Sequence, residues 1–337
     1  MKKEIYNNKV LCIGEAVIDR IYDKGDDIHS DEFIDYLGGA PANIAIALNR
    51  LGKRSSFVGR IGNDDGLEKF SNIFSLNNIN TSFLQIDNSN PTRIVKVRRT
   101  FDGERSFRGF ANNLIDKNKF ADLKLNKKQI INTWNHINFD INAIVLGSIP
   151  LASKDSREAC FWILDKVKNF NIPIFFDINW RSVFWPNYLD IKNNPNKNVI
   201  DLINHVISKS TFLKVSNEEA LLFFNTGDPE EISQIFKHNI DVVITNGEKD
   251  ILWYISKLKG KNKLSFPDNI VDTTGAGDAF LSGMIFKLLN NKKILSHEEV
   301  YEIVKFASIC GYLTCLKAGA IDSQPTLDEV NLFLKKI

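Results

Sequence analysis

The sequence predicts an α/β fold, a three-layer α/β/α sandwich on a mostly parallel central sheet, carrying a small β lid. Three observations predict it. Short apolar runs alternate with longer amphipathic stretches, two segments interrupt that alternation, and the last third shows helical apolar spacing with few strand signals.

The elements follow in chain order. Val10 to Ile13 is an apolar run of strand length, and Ala42 to Leu51 has the length and spacing of a packed helix. Between them Val17 to Tyr36 breaks the rhythm. Ser56 to Ile61 reads as a strand and Gly66 to Leu76 as an amphipathic helix. A second interruption, Thr92 to Phe107, sets Ile94 to Thr100 against Glu104 to Phe107 across Asp102-Gly103, the pattern of a hairpin. These interruptions, about residues 15–37 and 90–110, are expected to form a small antiparallel lid on a single domain spanning 1–337. The alternation resumes with Ala143 to Leu146, Ser153 to Phe170, Ile174 to Phe176, Leu202 to Ile207, Phe212 to Val215 and Val242 to Thr245. Strands joined through helices run parallel and are covered on both faces. Asp278 to Leu289, His297 to Leu316 and Thr326 to Ile337 close the chain as helices.

Composition narrows the function classes. Forty-three Lys and Arg against 41 Asp and Glu leave a formal charge of +2, so no global field holds the chain on nucleic acid or an acidic membrane. Any anion site must be local. No apolar run approaches the roughly 18 residues of a membrane span, and the N-terminal residues lack the signal-peptide pattern, so a cytoplasmic location is expected. Cys12, Cys160, Cys310 and Cys315 are scattered and expected to be buried free thiols, and no His pair has ligand spacing, so no structural metal is expected.

The most informative stretch is Val271-Asp272-Thr273-Thr274-Gly275-Ala276-Gly277-Asp278-Ala279-Phe280, a small-residue turn running into an apolar helix. Gly275, Ala276 and Gly277 leave the backbone uncovered, so their amides and the helix N-terminus can converge on an anion. Asp278 falls in the first turn. An Asp there is ordinarily a cap. A cap alone does not require two glycines flanking Ala, whereas a general base beside an anion cradle needs both close backbone approach and a poised carboxylate. Other phosphate motifs fail: there is no G-x-x-x-x-G-K-[ST], no protein-kinase catalytic loop, and Phe280 stands where a dinucleotide fingerprint needs its third small residue.

A second cluster, Gly38-Gly39-Ala40-Pro41-Ala42-Asn43, precedes the Ala-rich helix. Asn43 is an unexpected residue for a packed helix face unless its amide binds something. Together the late Asp272 to Asp278 and the early Gly38 to Asn43 resemble the two signature regions of the PfkB, or ribokinase-like, carbohydrate kinases. The resemblance extends through Gly14-Glu15 to Asp19, Val58 to Asp64, Asp177 to Arg181, Thr245 to Lys249 and Ala318 to Ala320. Gly38 to Asn43, Asp177 to Arg181 followed by Phe184-Trp185-Pro186, and Asp102 to Phe107 look most like fructokinases.

The resemblance implies a ribokinase-like sandwich and an ATP-dependent kinase whose substrates are a small sugar, foremost D-fructose, and ATP with Mg²⁺. It implies Asp278 as base, with Gly275, Ala276 and Gly277 holding the phosphoryl oxygens. Asp19, Gly39 and Asn43 would bind sugar hydroxyls, Phe107 would wall the sugar site, and Arg181 would reach phosphate or substrate. Thr245 and Gly247 would line the nucleotide pocket, with Gly319 and Ala320 against adenine. Glu219 would hold Mg²⁺ through water, although Ser216 stands where many relatives have Asn. Asp272, Thr274 and Ser323 resemble a monovalent cation loop, with K⁺ as its ion, and a homodimer through the lid is common among relatives. The rival acceptors are ribose, a nucleoside or 2-keto-3-deoxygluconate, the last wanting an added cation such as Arg98 or Arg99. A silent sugar- or nucleotide-binding protein and an NAD-dependent oxidoreductase are the rivals from other classes.

Overall fold

The computed structural model describes residues 9–23, 33–99, 105–111, 119–136, 140–185, 194–267, 269–291 and 295–336. In chain order the strands are β1 (Lys9–Ile13), β2 (Val17–Asp23), β3 (Ile34–Gly38), β4 (Ser55–Gly62), β5 (Asn80–Asp87), β6 (Ile94–Arg99), β7 (Arg105–Phe110), β8 (Ile141–Gly147), β9 (Ile174–Asp177), β10 (Phe212–Ser216), β11 (Asp241–Thr245), β12 (Ile251–Ile255) and β13 (Leu258–Asn262). The helices are α1 (Ala40–Arg50), α2 (Asp65–Leu76), α3 (Lys127–His136), α4 (Lys154–Val167), α5 (Lys197–Ile207), α6 (Asn217–Phe224), α7 (Pro229–Ile235), α8 (Ala276–Asn290), α9 (His297–Thr314) and α10 (Leu327–Leu334).

The main sheet has the order β13-β12-β11-β10-β9-β8-β1-β4-β5, parallel from β11 to β5, with β12 and β13 antiparallel at one edge. Alternation along β1 shows why both faces are dry: Leu11 and Ile13 enter one apolar layer, Val10 and Cys12 the other. Residues of α1, α8 and α9 complete the second layer, and residues of α4 and α5 the first. All four cysteines are free and buried. Among the described residues no helix is long and apolar enough to cross a membrane.

Chain order reverses at β1, which has β4 on one side and β8 on the other. In open α/β sheets such a switch point opens a crevice at the carboxyl ends of the strands. Glu15 after β1, Asp177 at the end of β9, Ser216 at the end of β10 and Thr245 at the end of β11 all sit along that edge.

Both interrupting segments join a second sheet of order β3-β2-β6-β7. The expectation of an antiparallel sheet holds only for its outer pairs: β2 and β6, at its centre, are parallel. The reason is topological, since β2 follows β1 and β6 follows β5, two strands that leave the main sheet in the same direction. The Asp102-Gly103 turn and the side chains of Arg98, Arg99 and Phe107 lie outside the described residues, while the Phe107 backbone pairs with Val97. The β12–β13 hairpin escaped the sequence reading because Ser256 and Lys257 take φ of 52° and 65° in its turn, positions that usually announce themselves as Asn-Gly.

One buried ion pair ties the second sheet to the short helical turn Ala121–Lys124. Arg93, just before β6, meets Asp122 through Nε–Oδ1 at 3.1 Å and Nη2–Oδ2 at 3.0 Å. Its guanidinium carbon lies 4.9, 4.6 and 4.7 Å from the ring centroids of Phe110, Phe120 and Phe184. Removing one partner of such a pair leaves a buried charge without its counterion. R93M is expected to lower unfolding free energy by about 3–5 kcal/mol in urea melts, and R93M/D122L to recover most of it. Equal stability of R93M and the parent would show that the pair does not anchor the sheet.

Candidate active site

The late small-residue stretch forms a turn that can exist only with glycine at its end. Gly275 has φ of 81° and caps α8. A Cβ there would lie 2.9 Å from the Ala320 carbonyl oxygen and 3.0 Å from Gln324 Nε2. The first-turn amides of α8 therefore belong to Ala276, Gly277 and Asp278, groups without intrahelical acceptors. Ala276 N–H donates to the Thr273 carbonyl at 3.2 Å, which leaves Gly277 and Asp278 as the better placed pair.

Asp278 faces α1. Asn43 Nδ2 donates to Asp278 Oδ2 at 2.7 Å, joining residues 235 positions apart. Burial pushes the Asp278 pKa up to about 7; the Asn43 hydrogen bond opposes that rise, Asp177 adds to it, and Lys214 and Arg181 oppose it. This is the range in which a carboxylate serves as a general base near neutrality.

The turn that delivers Asn43 is held by Glu15. Gly39 has φ of 102° and gives α1 no side-chain cap. Glu15 Oε1 accepts from Ala40 N at 3.1 Å instead, capping the helix from the end of β1. A Cβ on Gly39 would lie 2.5 Å from the Glu15 carbonyl oxygen, so glycine is required for backbone packing. Burial raises the Glu15 pKa to about 8. Asp19, on β2 opposite Tyr36, lays Oδ2 so close to Gly38 that a Cβ there would come within 2.9 Å.

Charged side chains gather at the ends of β9 and β10. Lys214 Nζ donates to Asp177 Oδ2 at 2.8 Å, and both residues are buried. Glu219 is tied on both sides: Oε1 accepts from Trp180 N at 2.6 Å and Oε2 from Ser216 N at 2.8 Å. The second bond is half of a capping box on α6, in which Ser216 Oγ accepts from Glu219 N, and this is what Ser at 216 accomplishes. Burial, then Asp177, raises the Glu219 pKa. Arg181 is exposed and donates through Nη1 to the Trp180 carbonyl at 2.9 Å.

The remaining predicted residues fall into two groups. Thr245 pairs in register with Ser216, and Gly247 has φ of 56° with open space beside it. Asp272, Thr274, Gly319 and Ser323 form one cluster. Asp272 Oδ1 accepts from Thr274 N at 3.0 Å and from its Oγ1 at 2.7 Å, Asp272 Oδ2 accepts from Gly319 N at 3.1 Å, and Ser323 Oγ donates to the Gly319 carbonyl at 2.5 Å. Gly319 also abuts the second sheet, since a Cβ on it would lie 2.6 Å from the Tyr36 ring.

Comparison with known proteins identifies the family. The sequence matches the pfkB family carbohydrate kinases over residues 7–327. The chain belongs to the PfkB family. Fructokinase-2 of Solanum habrochaites is 31% identical over 313 residues, covering 90% of this chain and 88% of that protein. An uncharacterized sugar kinase from Pyrococcus horikoshii, solved in complex with ATP, is 28% identical with a TM-score of 0.76 over 95% of this chain and 96% of that one. A fructokinase from Vibrio cholerae O395, solved with fructose, ADP and a calcium ion, is 25% identical with a TM-score of 0.76 over 97% and 99%. This PfkB chain is accordingly an ATP-dependent sugar kinase.

In the kinase, the structure brings Asn43, Asp278 and the first turn of α8 together, with Arg181 close enough to shift the Asp278 pKa. It places Asp272, Thr274, Ser323, Gly319 and Ala320 around the loop beneath Gly275. Sequence reasoning missed Glu15 as a remote cap and Lys214 beside Asp177; a lysine inside Phe212-Leu213-Lys214-Val215 was the signal for the latter. A carbon-detected NMR titration of the Asp278 carboxyl should give an apparent pKa of about 7. In N43A the value should rise, because the lost amide donor stabilised the charged form. A value in the usual carboxylate range near 4 would contradict this description of the site.

Proposed function

We propose that this kinase transfers the γ-phosphoryl group of ATP to the 6-hydroxyl of D-fructose, with Asp278 as the general base. The observation that carries the reading is the 2.7 Å Asn43–Asp278 hydrogen bond, which sets a carboxylate of raised pKa beside the unsatisfied amides of a helix N-terminus. Phosphoryl transfer needs alignment and charge neutralisation more than covalent participation. Asp278 takes the proton of the sugar hydroxyl while the Gly277 and Asp278 amides, within the expected Gly275 to Gly277 cradle and one residue beyond it, hold the oxygens of the transferring group. Asp19, Gly39 and Asn43 receive the sugar hydroxyls, and Phe107, whose side chain lies outside the described residues, is the proposed apolar wall of the sugar site. Arg181 adds a charged donor.

ATP enters as its magnesium complex. Thr245 and Gly247 line the nucleotide side, Gly319 and Ala320 the adenine, and Glu219, with both oxygens already engaged by backbone amides, meets the ion only through water. The cluster of Asp272, Thr274 and Ser323 is the proposed place of K⁺. The second sheet acts as the lid that excludes water, and the exposed Phe33 and Ile34 beside its edge offer apolar surface to a second copy. Fructose is favoured by fructokinase-2 of Solanum habrochaites and the fructose-bound Vibrio enzyme. A 2-keto-3-deoxygluconate substrate would need another cation, for which Arg98 and Arg99 are the candidates, their side chains lying outside the described residues.

Coupled ADP release from ATP and Mg²⁺ against fructose, ribose, adenosine and 2-keto-3-deoxygluconate tests this reading. Turnover on fructose, with the product phosphate at C6, is expected. D278N should keep the fold and lose about 10²–10⁴-fold in kcat, the range of general base catalysis. D278N turning over like the parent would remove Asp278 from the role of base, and turnover on another sugar alone would move the substrate.

A further inference from the structure

Lys214 is expensive to place where it is. Along β10, Leu213 and Val215 enter one apolar layer and Phe212 the other, so Lys214 turns with Phe212 toward the side of α8. It is 7% exposed in the middle of the sheet, between β9 and β11. An ion pair with Asp177 explains its charge but not its position, because a buried pair is generally no more stable than well-packed apolar residues of the same volume. Its neighbour makes the position harder to explain. The N-terminus of α8 carries the positive end of the helix dipole, which repels an ammonium.

Gly277 supplies the missing observation. Its φ is not in the left-handed region, so the backbone does not require glycine there. A Cβ at 277 would lie 3.3 Å from Lys214 Nζ and 3.6 Å from Lys214 Cε. Glycine thus leaves room for the ammonium beside the first turn of α8, and two positive groups face one space. An anion in that space would be held by both. Burial pulls the Lys214 pKa down, but Asp177, Glu219 and Asp278 pull it up more strongly, and the ammonium stays charged. It carries three N–H donors, of which Asp177 takes one among the described residues.

We propose that Lys214 is a catalytic residue that donates from Nζ to an oxygen of the transferring phosphoryl group at the first turn of α8. The inference rests on the phosphoryl-transfer reading above and adds to it a cation from the centre of the sheet. The ammonium keeps its protons throughout; it offsets the charge on the equatorial oxygens while Asp278 takes the hydroxyl proton. Asp177 is the positioning residue that aims it.

Steady-state kinetics of K214M and K214M/D177N separates this role from a structural one. K214M should lose about 10²–10³-fold in kcat, as for an oxyanion donor, with the sugar KM within about threefold. Because K214M leaves Asp177 as a buried charge without a partner, the double variant removes both charges and should recover melting temperature without recovering kcat. G277A, which pushes a methyl against Nζ, should also lower kcat. Recovery of kcat to within about threefold of the parent in the double variant, or an unimpaired K214M, would overturn the proposal. If the parent itself phosphorylates no sugar on the panel, the fructose reading fails separately. Lys214 is then judged by the gain in MgADP affinity on adding aluminium fluoride: loss of that gain by tenfold or more in the double variant supports it, and an equal gain overturns it.

Discussion

The hydrogen bond between Asn43 and Asp278 is the constraint on which the candidate site depends. It crosses 235 residues of sequence and ties the N-terminal turn of α1 to that of α8, two helices packed on one face of the sheet. A carboxylate in the first turn of a helix would ordinarily be an exposed cap with a low pKa. Here packing against α1 partly buries Asp278, and the amide of Asn43 fixes its orientation through one oxygen. The glycines on either side follow from the same closeness. Gly39 lets the α1 turn approach β1, and Gly275 lets the α8 turn approach the loop at Ala320.

Electrostatics extend from that contact along the carboxyl edge of the sheet. Asp177, Glu219 and Asp278 bring three carboxylates within each other's field, and Lys214 and Arg181 are the cations that answer them. The balance is unequal by position: Lys214 is buried, whereas Arg181 is exposed and rests on the Trp180 carbonyl. Glu219 spends both oxygens on backbone amides and so stabilises the turn after β9 and the start of α6 together. A network of this kind resists changes to single members, because each removal leaves another charge buried.

Much of this was legible in the sequence, and the exceptions have physical reasons. The rhythm of apolar runs located β1, α1, β4, α2 and the strands β8 to β11, and the glycine pattern located both turns that meet at the site. What periodicity does not carry is pairing. The parallel β2–β6 contact depends on where each segment leaves the main sheet, and the hairpin of β12 and β13 turns through Ser256 and Lys257. Side-chain partners across elements were equally hidden. Glu15 capping α1, Arg93 on Asp122 and Lys214 beside Gly277 each require a register that no local pattern specifies. Gly39 shows the opposite case, a residue assigned to ligand binding whose glycine has a sufficient cause in packing against Glu15.

The central claim is that acceptor and phosphoryl group meet between Asn43–Asp278 and the first turn of α8. A crystal structure with fructose, MgADP and aluminium fluoride tests it most directly. The account predicts the fluoride centre against the Gly277 and Asp278 amides, with the fructose 6-hydroxyl within hydrogen-bond reach of Asp278. A fluoride centre bound away from that turn, or a sugar hydroxyl aimed at another carboxylate, would contradict it.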